Sequence, residues 1–184
     1  AEALGLVEYP KFSGLESDAV LVSPHLKISA SYEWERDIRL FNAFHGLNNQ
    51  IHVFVILFNA TSGLQAALSQ REYWRGGNKN EFTICLGLDD AQNVKWCKAF
   101  SWCDLPQMET ALESWYLEHT HLDFKELTNW LEANVSTLWK RKEFKDFKYL
   151  GKKLTPWKSV LVGFLTLAAC ALFIYIAYYL TTTQ

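Results

Sequence analysis

Residues 160–180 read VLVGFLTLAACALFIYIAYYL, a run without a charged side chain. As a helix it spans roughly 30 Å, the thickness of a bilayer's hydrocarbon core. That length permits one crossing and not two. Trp157 and Lys158 at one end, and Tyr175, Tyr178 and Tyr179 at the other, are side chains expected at the two lipid–water interfaces. Gly163, Ala168, Ala169 and Ala171 would let a second helix approach closely, although there is no GxxxG motif. A buried core helix is the competing reading, but core helices rarely continue so far without a polar face. The expectation is a single-pass membrane protein with its transmembrane helix over 158–180 and a short tail at 181–184.

Once this anchor is set aside, about 155 residues remain, enough for one compact domain and too few for two ordinary ones. The 18 basic and 20 acidic residues nearly cancel, so no general polyanion partner is implied and nucleic acid is excluded as an expected ligand. Eight Trp, eight Tyr and twelve Phe supply large contact areas and favour a protein that docks on another. Cys170 lies in the apolar run, leaving Cys85, Cys97 and Cys103, which form neither a disulfide framework nor a CxxC pair. The chain opens at Ala1 rather than Met, as removal of a presequence or a cut from a longer chain would leave it.

Residues 1–24 carry Pro10, Gly14 and Pro24 between short apolar runs and read as irregular, with 18–22 the one plausible strand. The domain proper is expected over 25–139. Trp34, Ile38, Phe41 and Phe44 recur at helical steps behind Ser31 as a cap, with Gly46 as the stop. Residues 51–58 are continuous in β-branched and aromatic side chains, the pattern of a strand covered on both faces. A helix over 64–74 ends at Gly76 and Gly77, and a strand follows over 82–88, so this strand, helix and strand should form a right-handed parallel crossover. Asp104 and Asp123 are placed to cap two further helices.

Residues 82–88 and 94–102 flank a polar turn and should pair as a hairpin. Centring that turn on Ala91 sets Phe82 against Phe100, Leu86 against Trp96 and Leu88 against Val94. The same register sets Cys85 against Cys97, leaving open either a disulfide or two reduced thiols.

The order of elements, together with the turn Trp74, Arg75, Gly76, Gly77 before an apolar strand, resembles the TPM domain family over roughly Val20 to Leu138. That family's members commonly end in a single transmembrane helix. The resemblance implies an α/β fold with a mixed β-sheet sandwiched by helices, on a membrane-tethered accessory factor. Family members include photosystem II repair proteins and an auxiliary subunit of an ion-channel receptor, and some are described as phosphatases. The sequence departs from the family after the hairpin, where residues 99–103 replace a glycine-rich turn bearing an acidic residue.

Candidate chemistry is sparse. Asp89 and Asp90 could hold Ca²⁺ or Mg²⁺ through carboxylate oxygens, with Asp104 as a third ligand, or be ordinary turn residues. His119 and His121, with Glu118 and Asp123 nearby, make an incomplete transition-metal set. Gly76, Gly77, Asn78 and Lys79 lack P-loop spacing, and no GxSxG, HExxH or Walker pattern occurs. The expectation is no cofactor, with Ca or Mg as the alternative.

A basic juxtamembrane segment at 140–157 includes Lys140, Arg141, Lys142, Lys152 and Lys153, side chains suited to anionic headgroups. By the positive-inside rule the domain faces the cytoplasm or matrix, whereas the family resemblance favours the opposite side. The functional expectation is a membrane-anchored accessory protein whose partners are a membrane protein complex and the lipid bilayer. A membrane-tethered, metal-dependent phosphatase or hydrolase is the alternative.

Overall fold

The computed structural model describes residues 4–11, 18–103, 106–143, 145 and 156–182. The chain divides into two compact units, Ala1–Lys142 and Glu143–Gln184. In the first unit β1 (Val20–Val22) is followed by α1 (Tyr32–Asn49), β2 (His52–Asn59), a short 3₁₀ turn (Ala60–Ser62) and α2 (Gly63–Tyr73). Then come β3 (Glu81–Leu88), β4 (Val94–Ser101), α3 (Gln107–Glu118) and α4 (Phe124–Leu138). The strands form one mixed sheet in the order β1-β2-β3-β4, with β1, β2 and β3 parallel and β4 antiparallel to β3.

Both central strands are buried on two faces, which their unbroken apolar sequences require. Val53, Val55 and Leu57 of β2, with Ile84, Leu86 and Leu88 of β3, face a core shared with Ile38 and Phe41 of α1, Met108 and Leu112 of α3, and Leu127 and Leu131 of α4. The alternate residues, Phe54, Ile56 and Phe58 with Cys85, face Ala66 and Ala67 of α2. The unit is thus an α/β fold whose mixed sheet is sandwiched by helices.

The two parallel crossovers have opposite hands. Both step the same way across the sheet, yet α1 covers one face and α2 the other. Val55 donates its N–H to Ala19 O and Leu57 accepts from Ser23 N–H, so the β2 residues facing α1 turn their main-chain groups toward β1. For L-residues this puts β1 to the right of an upward β2 viewed from the α1 side. The β2–α2–β3 crossover is therefore right-handed as expected, and β1–α1–β2 belongs to the rare left-handed class. Side chains complete this unusual edge. Asn42 pairs with Val53 as a missing strand would, accepting from its N–H at 2.7 Å and donating to its C=O at 3.0 Å. Glu35 accepts from Ala19 N–H and Val20 N–H at 2.7 and 2.8 Å.

Residues 4–11, expected to be irregular, and residues 18–24, within which 18–22 reads as a strand, supply part of this unit. Val20–Val22 is a sheet strand, and Leu6, Val7 and Tyr9 pack on the α2 face. Ser31 caps α1, but Gly46 does not stop it: the helix runs to Asn49 and ends at Gln50, whose φ of 53° is left-handed. Asp123 caps α4 by accepting from Lys125 N–H and Glu126 N–H. Pro106 precedes α3, and Asp104 lies outside the described residues.

The hairpin forms one residue out of the expected register. Leu88 does pair with Val94, but a bulge follows, so Gly87 opposes Trp96, Leu86 opposes Cys97 and Phe82 opposes Ser101. The cause is the fit of Trp96 over Gly87, where a Cβ would lie 2.0 Å from the indole. Trp96 Nε1–H then reaches Ala60 O at 3.0 Å. Cys85 now opposes Lys98 and packs on the α2 face, whereas Cys97 packs against the other core, so the two thiols are free and on opposite sides of the sheet.

The second unit contains α5 (Pro156–Thr182), 27 residues long. Its described side chains from Trp157 onward are exposed, and Thr166 Oγ1 donates to Val162 O at 2.9 Å, satisfying a hydroxyl within the apolar run. Among the described residues, no helix is long and apolar enough to cross a membrane.

Candidate functional site

The N-terminal ends of β2 and β3 gather polar side chains around one buried carboxylate. Glu81 opens β3, opposite His52 at the start of β2, and is almost wholly buried. The turn after α2 brings Asn78 onto it: Asn78 N–H donates to Glu81 Oε2 at 2.7 Å and Asn78 Nδ2 to Oε1 at 2.8 Å. Tyr9 O–H donates to the same Oε1 and accepts from Asn78 Nδ2 at 2.6 Å. Gly77 is required here, with φ of 75° and a hypothetical Cβ only 2.9 Å from Glu81 Oε2.

This geometry locks the carboxylate. A buried carboxylate needs several donors, and Glu81 has three around it. Burial raises the Tyr9 phenol well above its ordinary range, and its bond to Glu81 adds to the effect, so it remains a proton donor. Burial lowers His52, with the charge of Glu81 opposing it more weakly, and the His52 Nε2 atom is buried without a partner among the described residues. His52 is thereby held as a neutral ring against Phe54, with ring centroids 4.6 Å apart.

The residues singled out from the sequence do not converge on a reactive centre. The Asp89 carboxylate accepts from Ala91 N–H, Asn93 N–H and Asn93 Nδ2, and pairs with Lys95 at 3.0 Å. The Asn93 backbone bond first, and the Lys95 bond next, lower its pKa to about 2. Asp89 organises the hairpin turn, and Asp90 is exposed beside it. His119 stacks on Trp115, with Nδ1 2.9 Å from Trp115 O, while His121 forms a backbone bridge to Asn93. Among the described residues no group of three His, Cys, Asp or Glu side chains could hold a metal ion.

Of the basic positions, Arg141 is half-buried, bridges Cys103 through its main chain, and has a buried Nε without a partner among the described residues. Lys142 is half-buried and Lys140 exposed, and Lys152 and Lys153 lie outside the described residues. On α5, Trp157, Tyr175, Tyr178 and Tyr179 are exposed, Lys158 lies over the Trp157 ring at 5.7 Å, and nothing lies within 4 Å of a Cβ built at Gly163.

A surface feature that the periodicity concealed is more informative. Helix α1 buries Ile38 and Phe41 but leaves Leu40, Phe44 and Leu47 exposed at 48, 69 and 86%. Their spacing of four and three residues puts them in one ridge on the helix's outer side. Phe44, expected in the core stripe, belongs to this outer ridge. Comparison with protein-family models, with curated proteins and with solved structures finds no match to this chain.

Proposed function

We propose that this chain is a single-pass, membrane-anchored accessory protein whose TPM-like α/β domain docks on a larger membrane protein complex. The observation that carries the reading is α5, a helix of 27 residues in which the sequence has no charged residue after Lys158. A helix of this length with apolar side chains all round has no polar face for water and fits lipid or neighbouring spans. The Leu40, Phe44 and Leu47 ridge supplies the docking surface, since a helix row with these anchors suits a hydrophobic groove on a partner. The basic residues of 140–153 meet anionic headgroups and place the domain on the cytoplasmic or matrix side. The order of elements and the turn from Trp74 to Gly77 support the TPM-like reading. A metal-dependent hydrolase draws no comparable support, because Asp89 is committed to its turn.

Two measurements test this reading. The chain should remain in the membrane after alkaline carbonate extraction and float with vesicles in a density gradient; release into the supernatant would refute the anchor. In native gels of detergent-solubilised membranes it should migrate with a complex much larger than itself, and Phe44→Glu should return it to the mobility of the lone chain.

A further inference from the structure

Residues 4–11 fill a groove formed by α2, the first part of β2 and the turn before β3 without joining the sheet. The groove grips this segment chiefly by its main chain. Gln70, wholly buried on α2, accepts from Val7 N–H and donates to Val7 O, both at 2.9 Å. Trp74 Nε1–H donates to the same carbonyl at 2.8 Å, and the buried Ser23 hydroxyl donates to Gly5 O at 2.7 Å. Ala66 and Ala67 of the same cluster are small, and small side chains leave room for an extended segment to approach the helix closely. Two side chains of the segment make further bonds. Tyr73 O–H donates to the exposed Glu8, and Tyr9 packs edge-on against Trp74 at 5.1 Å while its hydroxyl enters the Glu81 and Asn78 cluster.

A helix that buries an amide and satisfies both of its ends on the backbone of a separate segment is built to hold an extended peptide. Main-chain recognition tolerates many side chains, and one pocket then sets specificity. Here that pocket takes a phenol, because the Glu81 carboxylate needs its donated proton. The segment is linked to β1 through residues 12–17, short enough to present it at an effective concentration of about millimolar.

We propose that this groove is a binding site for an extended segment of a partner protein, occupied in cis by the chain's own residues 4–11. The partner segment carries a glycine at the Gly5 position, where φ is 61° and a Cβ would meet Ser23, an aliphatic residue at the Val7 position and a tyrosine two residues later. Binding would displace residues 4–11, so the N-terminal segment acts as a built-in competitor. The site is separate from the α1 ridge and stands or falls independently of it.

The test uses the full chain in detergent with a protease site placed within 12–17, cut after purification. A fluorescent peptide with the sequence of residues 1–11 is the probe. Saturable binding to the cut chain is expected, weakened at least about tenfold on the uncut chain by the tethered competitor. A peptide that keeps only Gly5, Leu6, Val7 and Tyr9, with serine elsewhere, should still compete, Gly5 being kept because a Cβ there would lie 2.5 Å from Ser23 Oγ. Replacing its tyrosine with phenylalanine should weaken it about tenfold, as loss of a hydrogen bond to a charged group does. Asn78→Ala, which leaves the groove floor intact, should narrow the difference between the tyrosine and phenylalanine peptides. The proposal is overturned if the cut chain binds no peptide, if cut and uncut chains bind equally, or if the serine-substituted peptide fails. Exchange of residues 4–11 between two copies, seen as a concentration-dependent dimer of the uncut chain that ignores added peptide, would overturn it as well.

Discussion

At residue scale, the turn after α2 shows how a local choice sets a whole site. Gly76 N–H bonds Arg71 O and Arg75 N–H bonds Glu72 O, the paired bonds of a Schellman ending. The left-handed position that such an ending requires is occupied not by either glycine but by Arg75, at φ 54°. Arg75→Gly removes a Cβ clash at that φ and should raise stability by about 0.5–1 kcal/mol in chemical denaturation. Gly87 makes the opposite case. A methyl group there would evict Trp96 and break its bond to Ala60, so Gly87→Ala should cost about 1–3 kcal/mol and quench the ordered Trp96 signal in near-ultraviolet circular dichroism. His52 adds a pH dependence. Its folded pKa is lowered by burial, so the unfolded chain binds a proton that the folded domain refuses once pH drops below about 6.5. Stability from this group is complete above that value and is lost as pH falls toward the lower, folded pKa. His52→Gln should flatten that limb of a stability–pH curve measured on the full chain, and an unchanged limb would show that the neutral ring is not its source.

At the scale of elements, Phe41 and Phe44 distinguish what periodicity can and cannot reveal. Both lie on helical spacing from Trp34 and Ile38, and the sequence marks both as apolar stripe residues. Only burial separates them: Phe41 is 1% exposed in the core and Phe44 projects outward. Phe41→Ala should therefore cost about 3–5 kcal/mol of stability, while Phe44→Glu should fall within about 0.5 kcal/mol of the parent in the same denaturation and act only on assembly. The long apolar strands, the Ser31 and Asp123 caps and the parallel crossover were legible because each rests on interactions within a few residues or on an unbroken apolar run. The hairpin register was not, because it depends on a tryptophan meeting a glycine across two strands. The left-handed crossover was hidden for a similar reason. It is tolerated because Asn42 and Glu35, on the connecting helix α1, take up main-chain groups that a longer edge strand would have satisfied, a role that their positions on a helix pattern do not announce. The Tyr9, Asn78 and Glu81 cluster joins positions about seventy residues apart, and nothing local to Glu81 marks it as a buried charge.

At the scale of the whole molecule, the decisive quantity is the distribution of charge around the proposed span. Six lysines and one arginine lie within 140–153 against one aspartate and one glutamate, all on the domain side of α5. Each basic residue near an anionic leaflet contributes about 1 kcal/mol, and moving such a cluster across the bilayer opposes the usual bias on insertion. Of these, Lys145, Lys148, Lys152 and Lys153 follow the packed first unit, which ends at Lys142. Replacing Lys145, Lys148, Lys152 and Lys153 with glutamine should then weaken the bias while leaving the packed first unit untouched. In sealed, right-side-out vesicles the parent domain should be protected from added protease until the membrane is permeabilised, and the quadruple variant should show a mixed population. Digestion of the parent domain in intact vesicles would put it on the outer or lumenal side, the orientation that the TPM resemblance favours. The anchor and the docking ridge would survive that result, but the partner surface would have to be sought on the opposite face of the membrane.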